Sequence, residues 1–561
     1  MNVSGQTEAT HCRYLWSLAA LGVVAHGLLL VNDGIFLDDW FLWLQIFEND
    51  WAGFEKFWRD LGHRHLIPFY DLMYSSSAAL LLQGFLQAAS LILMALSLFV
   101  IHTRTLHLPP MAAWFAAALA LTYPFFWISV HHLTMHYVVS MGLFCLGWAL
   151  ALNWQAHRAV KVPVVVLLLG LSMYTYNSLL AFYFGFVALA WYGVLVRENR
   201  LQAPIASTLL PFARRWWPLL ALPFVVYVMK RKMSPPGGFN QNYNELIFFT
   251  KPFGEAVGTF LYIMQRNLVG AVRETIRIFR QFPGWYWLVF ALVMWGVVTL
   301  WKRRGAEANR ATLPSGWLNT RLTIVVAVWL TLSIVPYAMV GKGVYSEWGY
   351  RHTFLMSIPL GLCWVLILAT LPRFLPKLPP HFTGVALSAF LILFTCGIIY
   401  KYNRMLVRSA VDHATIESLK AQPPPTAGTL LFFETPLYTR RDVYRRYELS
   451  GMLYRAYGEL KWYAVHDRNA RTEAHIEQFI RQGREFDDRL LWQVWGKTPG
   501  VRPNGCAAVM RVVPGKEGVS PLLGLRYVFT RWFAEERMQE FLQPVLKIEF
   551  EPLPHAGCTT P

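Results

Sequence analysis

The chain of 561 residues is 55% hydrophobic and only 15% charged, against about a quarter charged in ordinary soluble proteins. Abundant aromatics, no Gly-X-Y period and only six cysteines exclude a disordered chain, a collagen and a disulfide-rich secreted module. Lys and Arg outnumber Asp and Glu by 51 to 33, a net charge of +18, which in so apolar a chain points to inside-positive loops and lipid phosphates before nucleic acid. The composition therefore predicts a polytopic α-helical membrane protein.

Crossing a hydrocarbon core of about 30 Å takes roughly 20 apolar residues. Eleven stretches approach that length, near 14–31, 83–101, 111–128, 134–153, 162–177, 178–196, 216–229, 284–301, 322–340, 352–371 and 384–401. The polar run Thr175, Tyr176, Asn177 and Ser178 divides two of them and reads as a tight external turn. Arg104, then Arg158 and Lys161, then Arg197, Arg200, Arg214 and Arg215, then Lys302, Arg303, Arg304, Arg310 and Arg321, and finally Arg373 and Lys377 fall in alternate loops. That pattern puts the N-terminus inside, and eleven crossings put residues 402–561 outside. The first stretch lacks a basic leader and a small-residue cleavage site, so it reads as a retained helix. Residues 1–401 thus form a membrane domain with long external loops at 32–82 and 230–283, and residues 402–561 a soluble domain.

In the first loop Trp40, Phe41, Trp43, Leu44, Phe47, Phe54, Phe57 and Trp58 recur at helical spacing, predicting a helix that lies in the membrane interface. In 254–280, Arg266, Arg273, Arg277 and Arg280 alternate with apolar residues, an interfacial pattern or ordinary snorkelling. The pair Asp38 and Asp39 follows the first span after a few residues. Two adjacent carboxylates in apolar surroundings repel each other, which raises one pKa and equips the pair to hold a proton, a cation or a sugar hydroxyl. The bland reading is a solvated helix N-terminus.

His132 and His136 stand four residues apart, and His63 and His65 add two more imidazoles. Such spacing could present two rings to one divalent ion, but no Cys or carboxylate lies beside them, so metal dependence stays open. No phosphate-binding glycine loop or nucleotide fingerprint is present in the sequence. In the tail, a helix at 403–421, a stiff Pro423-Pro424-Pro425 spacer, a strand at 428–433, helices near 440–457 and 471–482, and strands at 507–513 and 546–551 predict a small α/β or α+β domain. Cys506 and Cys558 are free to pair in an oxidising compartment, whereas Cys12, Cys145, Cys363 and Cys396 lie in or beside spans.

The early Asp-Asp pair, the segment Gly62-His63-Arg64-His65-Leu66-Ile67-Pro68-Phe69-Tyr70 before the second span, and Tyr345-Ser346-Glu347-Trp348-Gly349-Tyr350-Arg351-His352, followed by Pro359, at the outer start of a late span resemble motifs of the GT-C glycosyltransferases. The resemblance implies a GT-C-like fold that transfers a sugar from a polyprenyl-phosphate carrier to a glycan, lipid or protein acceptor at the outer face of a bacterial inner membrane, in contact with membrane lipids and not with nucleic acid. It implies Asp38 or Asp39 as the base, Arg351, with His352 and Lys342, at the donor phosphate, and His63, Arg64, His65, His132, His136 and Glu347 around the substrates. The chain departs from the family at Ser129-Val130-His131-His132-Leu133-Thr134-Met135-His136, where many members carry a second acidic motif. Two other readings compete: a polysaccharide polymerase or ligase relying on basic loop residues, and a lipid or oligosaccharide transporter, which would call for internal repeats.

Overall fold

A computed structural model of the chain describes residues 3–36, 39–76, 79–152, 158–233, 253–280, parts of 287–302, 320–343, 347–435, 446–465 and 506–552, apart from positions 376, 380, 460 and 521. The first helix, α1 (Val3–His26), continues through a 3-10 turn to Val31. The first loop folds as α2 (Asp39–Phe47), α3 (Trp51–Asp60) and α4 (Ile67–Tyr74). There follow α5 (Ala79–Arg104), α6 (Pro110–Leu121), α7 (Met135–Leu152), α8 (Arg158–Thr175), α9 (Leu179–Arg197), α10 (Ile205–Met233), α11 (Phe253–Phe279), α12 (Thr320–Ala338), α13 (Phe354–Phe374) and α14 (Phe382–Lys420).

Seven helices are long and apolar enough to cross a membrane, or eight if α6 and the 3-10 segment Pro124–Val130, bent by 47° at the break, count as one. The chain is thus a multi-pass membrane protein. The count falls short of eleven for physical reasons. The apolar part of α8 is short, α10 carries Arg214, Arg215 and Lys230 to Lys232, and among the described residues 284–301 contributes the short apolar helix Phe290–Thr299. Outward-facing Leu167 and Leu171 on α8, Trp217 and Phe224 on α10, and Leu261 and Val269 on α11 are exposed, as side chains facing lipid should be. On α11 the inward face mixes polar Thr259, Asn267 and Thr275 with apolar Ile263, Ile278 and Phe279, all buried.

Contacts at one end of the bundle fix the course of the chain. Lys230 Nζ donates to the Tyr174 carbonyl at 2.6 Å, the hydroxyls of Tyr176 and Tyr337 meet, and the Tyr337 ring stacks on His352 at 5.1 Å. On the other side of the bundle His26 Nδ1 lies 2.9 Å from the Tyr402 hydroxyl. The C-terminal ends of α1, α8, α10 and α12 therefore share a level with the start of α13 and with the middle of α14. That level forms a rim, above which the first loop and the tail lie together.

The tail is not set off from the bundle at residue 402. Helix α14 runs unbroken for 39 residues, so the helix expected at 403–421 is the outer half of the last span. Around it fold β1 (Leu430–Glu434), α15 (Arg446–Tyr457), β2 (Tyr463–Val465), β3 (Ala507–Pro514), α16 (Leu523–Phe533), α17 (Met538–Leu542) and β4 (Leu546–Pro552). The sheet order is β2-β1-β3-β4, with β1 parallel to both neighbours and β3 antiparallel to β4. Expected strands at 428–433, 507–513 and 546–551 correspond to β1, β3 and β4 and the helix expected at 440–457 to α15; β2, α16 and α17 are additions, and the helix expected at 471–482 lies outside the described residues. Cys506 is disulfide-bonded, the other four described cysteines are free, and Cys558 lies outside the described residues.

The expected interfacial helix at 40–58 is corrected by the packing. It is two helices, with Asp50 capping α3 by accepting from the Gly53 N–H at 3.2 Å. Its apolar stripe of Trp40, Trp43, Phe54, Phe57 and Trp58 is buried in one core with Leu431 and Phe433 of β1, Leu449 and Met452 of α15, and Ala410 and Val411 of α14. The stripe faces protein, where its rings leave water against apolar side chains of the tail. Polar links reinforce it. Asp33, just after the first span, accepts from Ser409 at 3.2 Å and Tyr527 at 2.8 Å and pairs with Arg531 at 2.6 Å. Arg408 pairs with the buried Glu448 at 2.5 Å.

Gly451 on α15 lies where a Cβ would enter the Trp40 ring. Gly451→Leu should therefore push α15 off α2 and cost about 1–3 kcal/mol. Limited proteolysis in detergent should then cut the tail several times faster than in the parent, with the spans intact; an unchanged digestion rate would refute the shared core.

Candidate functional site

Asp39 opens α2, yet it caps a different element. Its carboxylate is fully buried and accepts the backbone N–H of His132 at 3.0 Å and of Leu133 at 2.9 Å, which head the 3-10 turn leading into α7. His131 Nδ1 lies 3.4 Å from the same carboxylate. Burial by itself would raise this pKa, but the hydrogen bond to His131, the His132 and His131 imidazoles and the Leu133 N–H together hold it below the ordinary carboxylate value. Asp39 is therefore a tied anion and not a solvated N-cap. Asp38, the other half of the pair, lies outside the described residues.

From Asp39 a chain of rings runs along the rim. Trp43 Nε1–H donates to His132 Nδ1 at 2.9 Å, so in a neutral His132 the proton sits on Nε2. The Trp43 ring meets Tyr74 edge-on at 5.1 Å, Tyr74 stacks with Tyr70 at 5.7 Å, and Tyr70 stacks on Trp58 at 4.3 Å. The Tyr70 hydroxyl lies 3.4 Å from His136 Nδ1. His136 is 5.2 Å from His63, and His63 5.9 Å from His65, between ring centres. His65 Nε2 bonds Thr175 Oγ1 at 3.1 Å, and its ring meets Tyr174 at 4.6 Å.

The belt continues through Tyr137, 4.0 Å from His136 and 4.7 Å from Tyr176, then through Tyr337 to His352. Lys342, which follows α12, and Arg351, in the 3-10 turn Glu347–Thr353, sit at this far end. Burial, and then the Arg351 charge, bring the Lys342 ammonium down to about 7. The two groups of residues singled out in the sequence, more than 200 positions apart, are thus joined by contiguous side chains at one level. Arg64 stands on the same turn as His63 and His65 but is exposed, and the Glu347 side chain lies outside the described residues. Among the described residues no three His, Cys, Asp or Glu side chains converge as metal ligands, so the imidazoles form a row and not a coordination sphere.

Sequence reasoning passed over Lys230, Tyr174, Tyr337 and Tyr74. Tyrosines in apolar helices read as packing, and only the pairing of distant helix ends brings them to the belt. The polar run 175–178 was the one sequence signal for this region, taken as a mere turn.

Comparison with protein-family models, with curated proteins and with solved structures returns no match. The chemistry of the rim has to be argued from its own residues.

Two expectations follow. Asp39→Ala strips two buried N–H groups of their acceptor, at about 1–3 kcal/mol each, and should lower the melting temperature clearly more than Asp39→Asn, which keeps one acceptor; equal shifts would refute the capping role. Burial and then Lys230 hold His63 well below the usual imidazole range and His65 down to about 4. The unfolded chain takes up these protons near pH 6.5, so between pH 6.5 and 4 it binds more of them than the folded protein. Stability present above pH 6.5 should therefore be lost as pH falls toward 4, with a shallower slope in His65→Gln; thermal unfolding in detergent at several pH values checks this.

Proposed function

We propose that the chain is a membrane glycosyltransferase of the GT-C type, transferring a sugar from a polyprenyl-phosphate carrier to a glycan, lipid or protein acceptor outside the inner membrane. The reading takes the N-terminus as inside, from the alternation of Lys and Arg in the loops, so that the rim and tail face outward. The observation that carries it is the belt itself, which brings the loop of the acidic pair and the Lys342, Arg351 and His352 cluster to one rim of the bundle. A lipid-borne donor reaches that rim from the bilayer and an acceptor from the water.

In this reading Asp38 is the base and Asp39 positions it, because the Asp39 oxygens are already taken by two N–H groups and its basicity is depressed. The carboxylate takes the acceptor's hydroxyl proton, the acceptor oxygen bonds to the sugar's anomeric carbon, and the anomeric carbon–oxygen bond to phosphate breaks. The carrier phosphate leaves with that electron pair. Arg351, whose guanidinium can engage two phosphate oxygens, and Lys342 stabilise the departing charge. A sugar phosphodiester keeps one negative charge across pH 6–8.5, so titration of Lys342 near 7 sets the pH dependence of donor binding.

Asp38→Asn should lower turnover by about 10²- to 10⁴-fold with normal expression, assayed in vesicles with a radiolabelled polyprenyl-phosphate sugar. Arg351→Ala should weaken donor binding roughly ten- to a hundredfold. Donor affinity should rise as pH falls from 8.5 to 6, and Lys342→Met should flatten that rise. Full activity in Asp38→Asn with activity abolished in Arg351→Ala would favour the polymerase or ligase reading instead.

A further inference from the structure

A second basic cluster lies on the belt, apart from Lys342 and Arg351. His63 and His65 stand on the turn before α4, His136 on the first turn of α7, and Lys230 on the last turn of α10. The three imidazoles form a row with neighbouring ring centres 5.2 and 5.9 Å apart, and Lys230 reaches its end by bonding the carbonyl of Tyr174, whose ring packs on His65. Buried ring nitrogens in this row, Nδ1 of His63 and His65 and Nε2 of His136, have no hydrogen-bond partner among the described residues. Leaving such groups unpaired costs about 1–3 kcal/mol each, so three in one row call for a partner from outside the chain.

The groups facing the row decide what that partner is. They are Tyr70 and Tyr74 from α4, Tyr137 from α7, Tyr174 from α8 and Lys230 from α10. The charges acting on His63 and His65 come from Lys230 and the other imidazoles, and no carboxylate is among them. Asp39 reaches Tyr70 and Tyr74 and goes no further along the belt. The row is therefore a desolvated site whose one fixed charge is that of Lys230, with no carboxylate acting on His63 or His65.

We infer that His63, His65, His136 and Lys230 form a buried anion site for a phosphate-class oxyanion. The site does not depend on the sugar-transfer reading, since it follows from the row alone. The anion's oxygens accept from Lys230 and from the imidazoles, and its charge draws protons onto rings that burial and Lys230 otherwise keep neutral. Binding is thus coupled to proton uptake by the site. The same chemistry is offered by free phosphate, by pyrophosphate and by the headgroup of a polyprenyl phosphate.

The test uses the full chain in nanodiscs of zwitterionic lipid, titrated calorimetrically in two buffers of different ionisation enthalpy. Inorganic phosphate and pyrophosphate are the soluble probes and polyprenyl phosphate incorporated in the disc the lipid one. The expected result is saturable binding with proton uptake, weakened tenfold or more by His63→Gln and by Lys230→Met but retained in Lys342→Met. Binding of the soluble probes assigns a free anion, and binding of the lipid probe alone assigns a headgroup. If a variant fails to fold, as judged by its melting curve, His136→Asn replaces it. No saturable binding of any probe, binding without proton uptake, or binding lost only in Lys342→Met would overturn the inference and leave the row to water. Because no turnover is measured, an inactive transferase reading would leave this result untouched.

Discussion

A carboxylate buried at the membrane rim has to be answered by donors or it cannot stay charged. Asp39 meets that condition by accepting from the two N–H groups that head the turn before α7, and much of the outer structure depends on the bond. It ties the first loop to the bundle, sets the orientation of His131 and His132, and through His132 holds the indole of Trp43. Trp43 and its neighbours on α2 and α3 are in turn the floor on which the tail is built. If the carboxylate were released, the belt of rings would lose its first link and the tail part of its seat.

The tail is an extension of the membrane domain more than a separate module. Its axis is the outer half of α14, and its apolar core is completed by first-loop helices. Asp33 works as the polar counterpart of that core. It satisfies Ser409, Tyr527 and Arg531 from two different elements at once, so displacing either element would strand a buried charge. Such a roof over the rim fixes the position of the first loop relative to the bundle.

The rim also divides its electrostatics. At one end Asp39 is surrounded by donors; in the middle the charge acting on the imidazoles of His63 and His65 is that of Lys230, with no carboxylate; at the far end burial and then the Arg351 charge lower the proton affinity of Lys342. Aromatic rings fill the gaps between these polar stations. Rings of this kind offer both apolar faces and polar edges.

The sequence alone determined that this is a multi-pass helical membrane protein, because apolar length is a one-dimensional property that needs no partner. It also located β1, β3 and β4 and drew attention to Asp39, His63, His65, His132, His136, Lys342, Arg351 and His352, since charged and imidazole groups are scarce in apolar chain. Tertiary structure alone decided the rest. Whether the Trp40–Trp58 stripe faced lipid or protein could not follow from periodicity, which fixes a face but not what covers it. That Asp39 caps the turn at His132, that Tyr176 meets Tyr337, and that Lys230 stands beside His65 depend on which helix ends share a level. Such contacts join residues from about 90 to 165 positions apart, and no local pattern in the chain records them.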